Sequence, residues 1–172
     1  MTVILSTKDF PKEITKGLLD SYVGKKVEEF CNNFGQTGDS QNHCAHFVSH
    51  VLGFRIGQLC NSMNFETRKD VDSGRTIRVN DLFNNCSERG YWNDKPKDLD
   101  CCLIFSALKT QLKNENDLLV LSTHPKKHVG IYLRGNVYNY GNAKDKVRVD
   151  GPSHFEHLYG KGTVALYAKF PK

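Results

Sequence analysis

Between residues 117 and 140 the chain is written in short apolar runs broken by turn residues, and this pattern narrows its fold most. The runs are Asp117-Leu118-Leu119-Val120-Leu121-Ser122, His128-Val129-Gly130-Ile131-Tyr132-Leu133 and Val137-Tyr138-Asn139-Tyr140. Thr123-His124-Pro125-Lys126-Lys127 and Arg134-Gly135-Asn136 separate them, so the spacing predicts three successive antiparallel strands. Val147 and Val149 in an alternating strand, then a closing strand from Thr163 to Lys169, add to the sheet.

Helical spacing appears upstream. Cys44, Phe47, Val48, Val51 and Leu52 fall at i, i+3, i+4, i+7 and i+8, one apolar helix face, with Asn42 as the N-cap and Gly53 as the stop. Cys44 then sits in a first turn, where unsatisfied N–H groups and the helix dipole favour a thiolate. Equally, a cysteine on an apolar face is often a small buried core residue. A nucleophilic cysteine needs a base close in space, usually a histidine distant in sequence. His128 opens the middle predicted strand, and His124, in a turn before a proline, is the weaker base. A residue that orients the His128 ring must share its face of the sheet. Asn139 does so if the turn at Arg134-Gly135-Asn136 is tight, and Asn142 and Asp145 are polar alternatives just beyond. The polar stretch from Asn32 to Gln41 leads into Cys44. The backbone N–H of Cys44 and the side chain of Gln41 are the candidate oxyanion donors.

A cysteine opening a helix, a strand beginning His128-Val129-Gly130-Ile131-Tyr132, and a following strand with a polar residue resemble the NlpC-type and CHAP cell-wall peptidases, papain-like enzymes. The run Val23-Gly24-Lys25-Lys26-Val27 through Gly35 is similar to the approach to the CHAP cysteine. The likeness spans residues 22–54 and 117–142, and departs where NlpC enzymes carry Asp before the cysteine and Ser-Gly after it. Here those places hold His43 and Ala45-His46. The resemblance implies an α+β papain-like domain over residues 1–172, with N-terminal helices packed on an antiparallel sheet. It implies Cys44 as nucleophile, His128 as base and Asn139 as the ring-orienting residue, with no cofactor. The implied substrate is an amide bond in the peptide stem of peptidoglycan. The implied setting is an antibacterial type VI secretion effector, or a lysin, acting in the target's periplasm or wall. A secretion apparatus and a cognate immunity protein would be its partners. A thiol acyltransferase, a deubiquitinase-like peptidase or a non-catalytic binding protein could share the same residues.

The rest of the chain sets bounds. No apolar run approaches the roughly 20 residues of a membrane span, and the start at Met1 lacks the basic region of a signal peptide, so no membrane partner is expected. The net charge of +5 suits an anionic polymer, but the basic residues are scattered, and no nucleic-acid partner is expected. Six cysteines show no C-x-x-C pair. His46 and His50 have the i, i+4 spacing of zinc-binding histidines, yet no Glu follows His46 and no third ligand presents itself. A partly exposed helix flank is the reading taken, and no metal site is assigned. Residues 9–31 read as helical with a break at Gly24, and Cys101, Ile104, Phe105, Leu108 and Leu112 form a further helical stripe. His154 and His157 fall in a predicted surface loop. Trp92 is either a plug at the core edge or a wall of the substrate groove.

Overall fold

The computed structural model describes residues 13–33, 43–63 and 74–171. In chain order these form α1 (Lys16–Asp20), α2 (Cys44–Leu52), α3 (Val79–Asn84), β1 (Arg89–Tyr91), β2 (Cys101–Leu108) and β3 (Leu112–Glu115). There follow β4 (Leu118–Leu121), β5 (Lys127–Leu133), β6 (Asn136–Gly141), β7 (Lys146–Asp150), α4 (Pro152–His157) and β8 (Thr163–Ala168). The architecture is α+β: a six-stranded antiparallel sheet in the order β1-β8-β2-β5-β6-β7, a separate β3-β4 hairpin, and a few short helices. Among the described residues no helix is long and apolar enough to cross a membrane.

The stripe from Cys101 to Leu112 is not a helix. Cys101–Leu108 is the central strand β2, with Cys102 to Ala107 buried between β5 and β8. A strand covered on both faces is apolar throughout, so its sequence satisfies the helical period as readily as the strand period. The N-terminal helix is also shorter than its stripe. It ends at Asp20, turns through Gly24 at a φ of +85°, and leaves only a 3-10 turn at Val27–Glu29. Gly24 N–H donates to Val147 O there, and Val147 N–H to Lys25 O, tying the segment to β7.

Two tight hairpins account for the strand pattern after 112. Arg134 and Gly135, with φ of 45° and 92°, join Leu133 to its partner Asn136. Asn116 and Asp117, with φ of 52° and 62°, do the same between Glu115 and Leu118. Positive φ at both central residues marks the turn whose twist matches the flanking strands. The run from 117 to 122 is therefore a strand, but it pairs with β3 rather than with β5. Asn84 fastens it to α3, donating to Leu121 O and accepting from Leu121 N–H, both at 2.9 Å.

Alternation along the sheet divides the interior in two. Leu103, Phe105, Val129, Ile131, Tyr138, Tyr140 and Leu166 face α2 and join its Cys44, Phe47, Val48, Val51 and Leu52 in the main core. Ile104, Val137 and Ala165 point the other way and meet Phe155 of α4 in a smaller cluster. Gly53 ends α2 in the left-handed region at φ 75°, as its sequence position predicts. The N-cap is His43 rather than Asn42, which lies outside the described residues.

Candidate functional site

His128 lies on β5 and Asn139 on β6. The register sets Asn139 opposite Gly130, so His128, two residues back, shares its face. The ring nitrogen Nε2 of His128 is 2.9 Å from Asn139 Oδ1. The amide of Asn139 is itself fixed, its Nδ2 donating to Asp150 Oδ2 at 2.9 Å and to Val137 O at 3.3 Å. Its oxygen must then face the imidazole, which assigns the proton to Nε2 and leaves Nδ1 as the basic nitrogen. Arg148 in turn pairs with Asp150. The order is thus Arg148, Asp150, Asn139, His128, across three adjacent strands.

Burial decides the state of this imidazole. Its pKa is pushed down to about 4 from 6.5, chiefly by desolvation; the Asn139 bond opposes that shift and His154 reinforces it. The ring lies 5.2 Å from that of Phe155, and Ser106 Oγ donates to Phe155 O at 2.6 Å, which pins α4 over the same face. Gly130 provides the room. A Cβ there would stand 2.6 Å from Val137 Cγ1 and 3.1 Å from Asn139 Cβ.

Cys44 is the first residue of α2, as its spacing predicts, and it is fully buried in the main core. Val129 and Ile131 of β5 face that core, and alternation turns His128 and Asn139 to the other face of their strands. The structure brings His128 and Asn139 together, and it buries Cys44 at the start of α2. The hydroxyl pKa of Tyr159, just past α4, is raised first by burial and then by nearby Cys44.

Trp92, in a 3-10 turn, is half-buried and packs on the cluster around Ile104, Val137 and Phe155, its ring 5.0 Å from that of Tyr132 in an edge-on contact. It plugs the core edge, on the same face as His128. Gln41 lies outside the described residues. Asn142 sits in the 3-10 turn beyond β6, and Asp145 accepts from Tyr140 Oη at 2.7 Å, so Asn139 alone of the three meets the imidazole. His124 is held in its turn by Gln111, whose Nε2 is 2.7 Å from the His124 Nδ1. His154 and His157 belong to helix α4 rather than to a loop.

A second constellation was not legible as such. His46 is fully buried, not on an exposed flank, and its Nε2 lies 3.0 Å from that of half-buried His50. Cys31, after the first 3-10 turn, and Cys60, opening another, bring their sulphurs to the same spot. The four candidate ligand atoms all lie within 4.8 Å of one another. The i, i+4 histidines gave half of the set, and the cysteines come from two segments whose spacing matches no known ligand motif.

No protein-family model, curated protein or solved structure matches this chain.

Proposed function

We propose that the chain is a papain-like cysteine hydrolase that cuts an amide bond in the peptide stem of peptidoglycan, as an antibacterial effector or lysin. The observation that carries this reading is the His128–Asn139 pair. It is a buried neutral imidazole whose Nε2–H is committed to an immobilised amide oxygen, leaving Nδ1 to take a proton. In the reaction Nδ1 takes the proton of the Cys44 thiol as sulphur attacks the substrate carbonyl. The Cys44 N–H and Gln41 are the proposed oxyanion donors. The imidazolium then protonates the leaving amine, and water activated by His128 hydrolyses the thioester. The likeness of His128-Val129-Gly130-Ile131-Tyr132 to the NlpC and CHAP strand supports the substrate class, as does the net charge of +5 towards an anionic polymer.

Full burial of Cys44 in the main core favours a second reading, a non-catalytic protein in which Cys44 is a core residue. Digestion of purified peptidoglycan, with mass analysis of the released fragments, separates the two. The hydrolase reading expects cleavage by the wild type and none by Cys44→Ser or His128→Ala at unchanged secondary structure. Wild-type activity in either variant, or no cleavage by the wild type, refutes it.

A further inference from the structure

We propose that Cys31, His46, His50 and Cys60 form a structural zinc site. The argument begins with distances. Zinc held by two thiolates at about 2.3 Å and two imidazoles at about 2.0 Å in a tetrahedron sets its sulphurs roughly 3.8 Å apart and its nitrogens roughly 3.3 Å apart. The observed separations are 3.9 Å for Cys31 and Cys60 and 3.0 Å for His46 and His50. With every pair inside 4.8 Å, one ion can reach all four atoms. Two thiolates and two imidazoles also make the donor set that selects a tetrahedral, borderline-soft divalent ion over magnesium or calcium.

The surroundings fit a bound thiolate. Cys60 Sγ accepts from the Arg75 backbone N–H at 3.3 Å and from Asn33 Nδ2 at 3.6 Å, the kind of donors that orient and stabilise metal-bound sulphur. Cys31, His46 and Cys60 are buried, and the Phe30 ring stands 5.6 Å from that of His50. Such a shell excludes water and, with four protein ligands, leaves no open coordination position. That is the arrangement of a structural rather than a catalytic ion.

The fold also has a use for it. Between Ser21 and Asn33 the regular element is the 3-10 turn Val27–Glu29, and among the described residues around Cys60 there are the 3-10 turn Cys60–Met63 and the isolated bridge Leu59–Thr76. These two segments meet at the flank of α2 that bears His46 and His50. A metal ion there would tie two stretches with little secondary structure to helix α2, and would couple binding to folding.

The test uses the whole chain, purified with reductant and without chelator. Elemental analysis should give about one zinc per chain. Cobalt replacement should give the visible absorption of a tetrahedral ion together with thiolate-to-cobalt charge transfer. Cys31→Ser, Cys60→Ser and His50→Asn should each lower metal content several-fold, while Cys101→Ser and Cys44→Ser should keep it. A chelator should lower the melting temperature of the wild type. Should the ligand variants fail to fold, the cobalt spectrum of the wild type still decides the matter. Wild type that takes up no zinc or cobalt overturns the proposal, as does a Cys31–Cys60 disulfide trapped by alkylation at lysis. Metal content is read without any hydrolysis assay, so this proposal and the hydrolase reading stand or fall separately.

Discussion

Acid should destabilise this fold through His128, and the size of the effect follows from its burial. The imidazole titrates at about 4 in the folded chain against 6.5 in the unfolded one. Its folded pKa is depressed, so the unfolded state binds the proton first as pH falls. Stability from this group is therefore complete above 6.5 and is lost progressively down to 4. The difference between 6.5 and 4 corresponds to about 3 kcal/mol at 1.36 kcal/mol for each pH unit. The charged or titratable groups facing the ring are His154, Asp150 and Arg148. His128→Gln keeps a donor for Asn139 and removes the titration. Urea denaturation of both proteins from about pH 7.5 down to about pH 4, with reductant and chelator, gives two curves of stability against pH. Lost packing lowers the variant's starting stability, but wild type should lose about 3 kcal/mol more across the window. His46, whose pKa burial also lowers, contributes equally to both proteins and cancels. Parallel curves would show that His128 is not held neutral by the fold, and the assignment of Nδ1 as a base would lose its physical ground.

Gly130→Ala should destabilise the protein by about 1–3 kcal/mol, because the new methyl overlaps Val137 and crowds Asn139; an unchanged melting temperature would contradict the register described. Ser106→Ala removes the 2.6 Å bond to Phe155 O and should cost about 1 kcal/mol in chemical denaturation, with α4 exchanging its amide hydrogens faster. In timed alkylation read by mass spectrometry, Cys86 and Cys102, raised to about 12 by burial, and Cys101, raised to about 11, should react slowly near neutral pH. Cys31 and Cys60 should become reactive only after a chelator is added, and equal labelling with and without it would count against a bound ion.

What the sequence disclosed depended on whether a pattern had one solution. The α2 face, its stop at Gly53 and the β5–β6 hairpin each combined a period with a turn residue, and each was readable. β2 carried no period because both of its faces are buried. The break at Gly24 was readable, but the missing helix after it was not, because there the chain turns to reach Val147, a contact set by tertiary pairing rather than by local preference. Alternation told that Asn139 shares a face with His128, since both lie on strands of known offset. It could not tell which face α2 would cover, because that depends on whether Val129 and Ile131 or His128 and Gly130 meet the helix. The apolar pair wins, by the free energy of burying two β-branched side chains against Phe47 and Val48. The four-residue metal cluster was hidden for a related reason, since its ligands converge only when two weakly structured segments meet helix α2.

The two proposals meet on one helix. His46 and His50 anchor α2 through its middle, and Gly53 closes its C-terminal end, where Phe54 N–H donates to Ser49 O. Its first turn is held differently. The N-cap His43 makes no capping bond and packs its ring edge-on to Tyr140 at 5.5 Å. That turn is buried as deeply as the rest of the helix, with Cys44, Ala45 and Phe47 all in the main core. Phe155 lies against His128 and Tyr159 senses Cys44, so α4 and the residues just after it already border both partners. A zinc ion on His46 and His50 would hold α2 fixed against the segments bearing Cys31 and Cys60. Chelation should then act on stability first, and on the cysteine chemistry only through it.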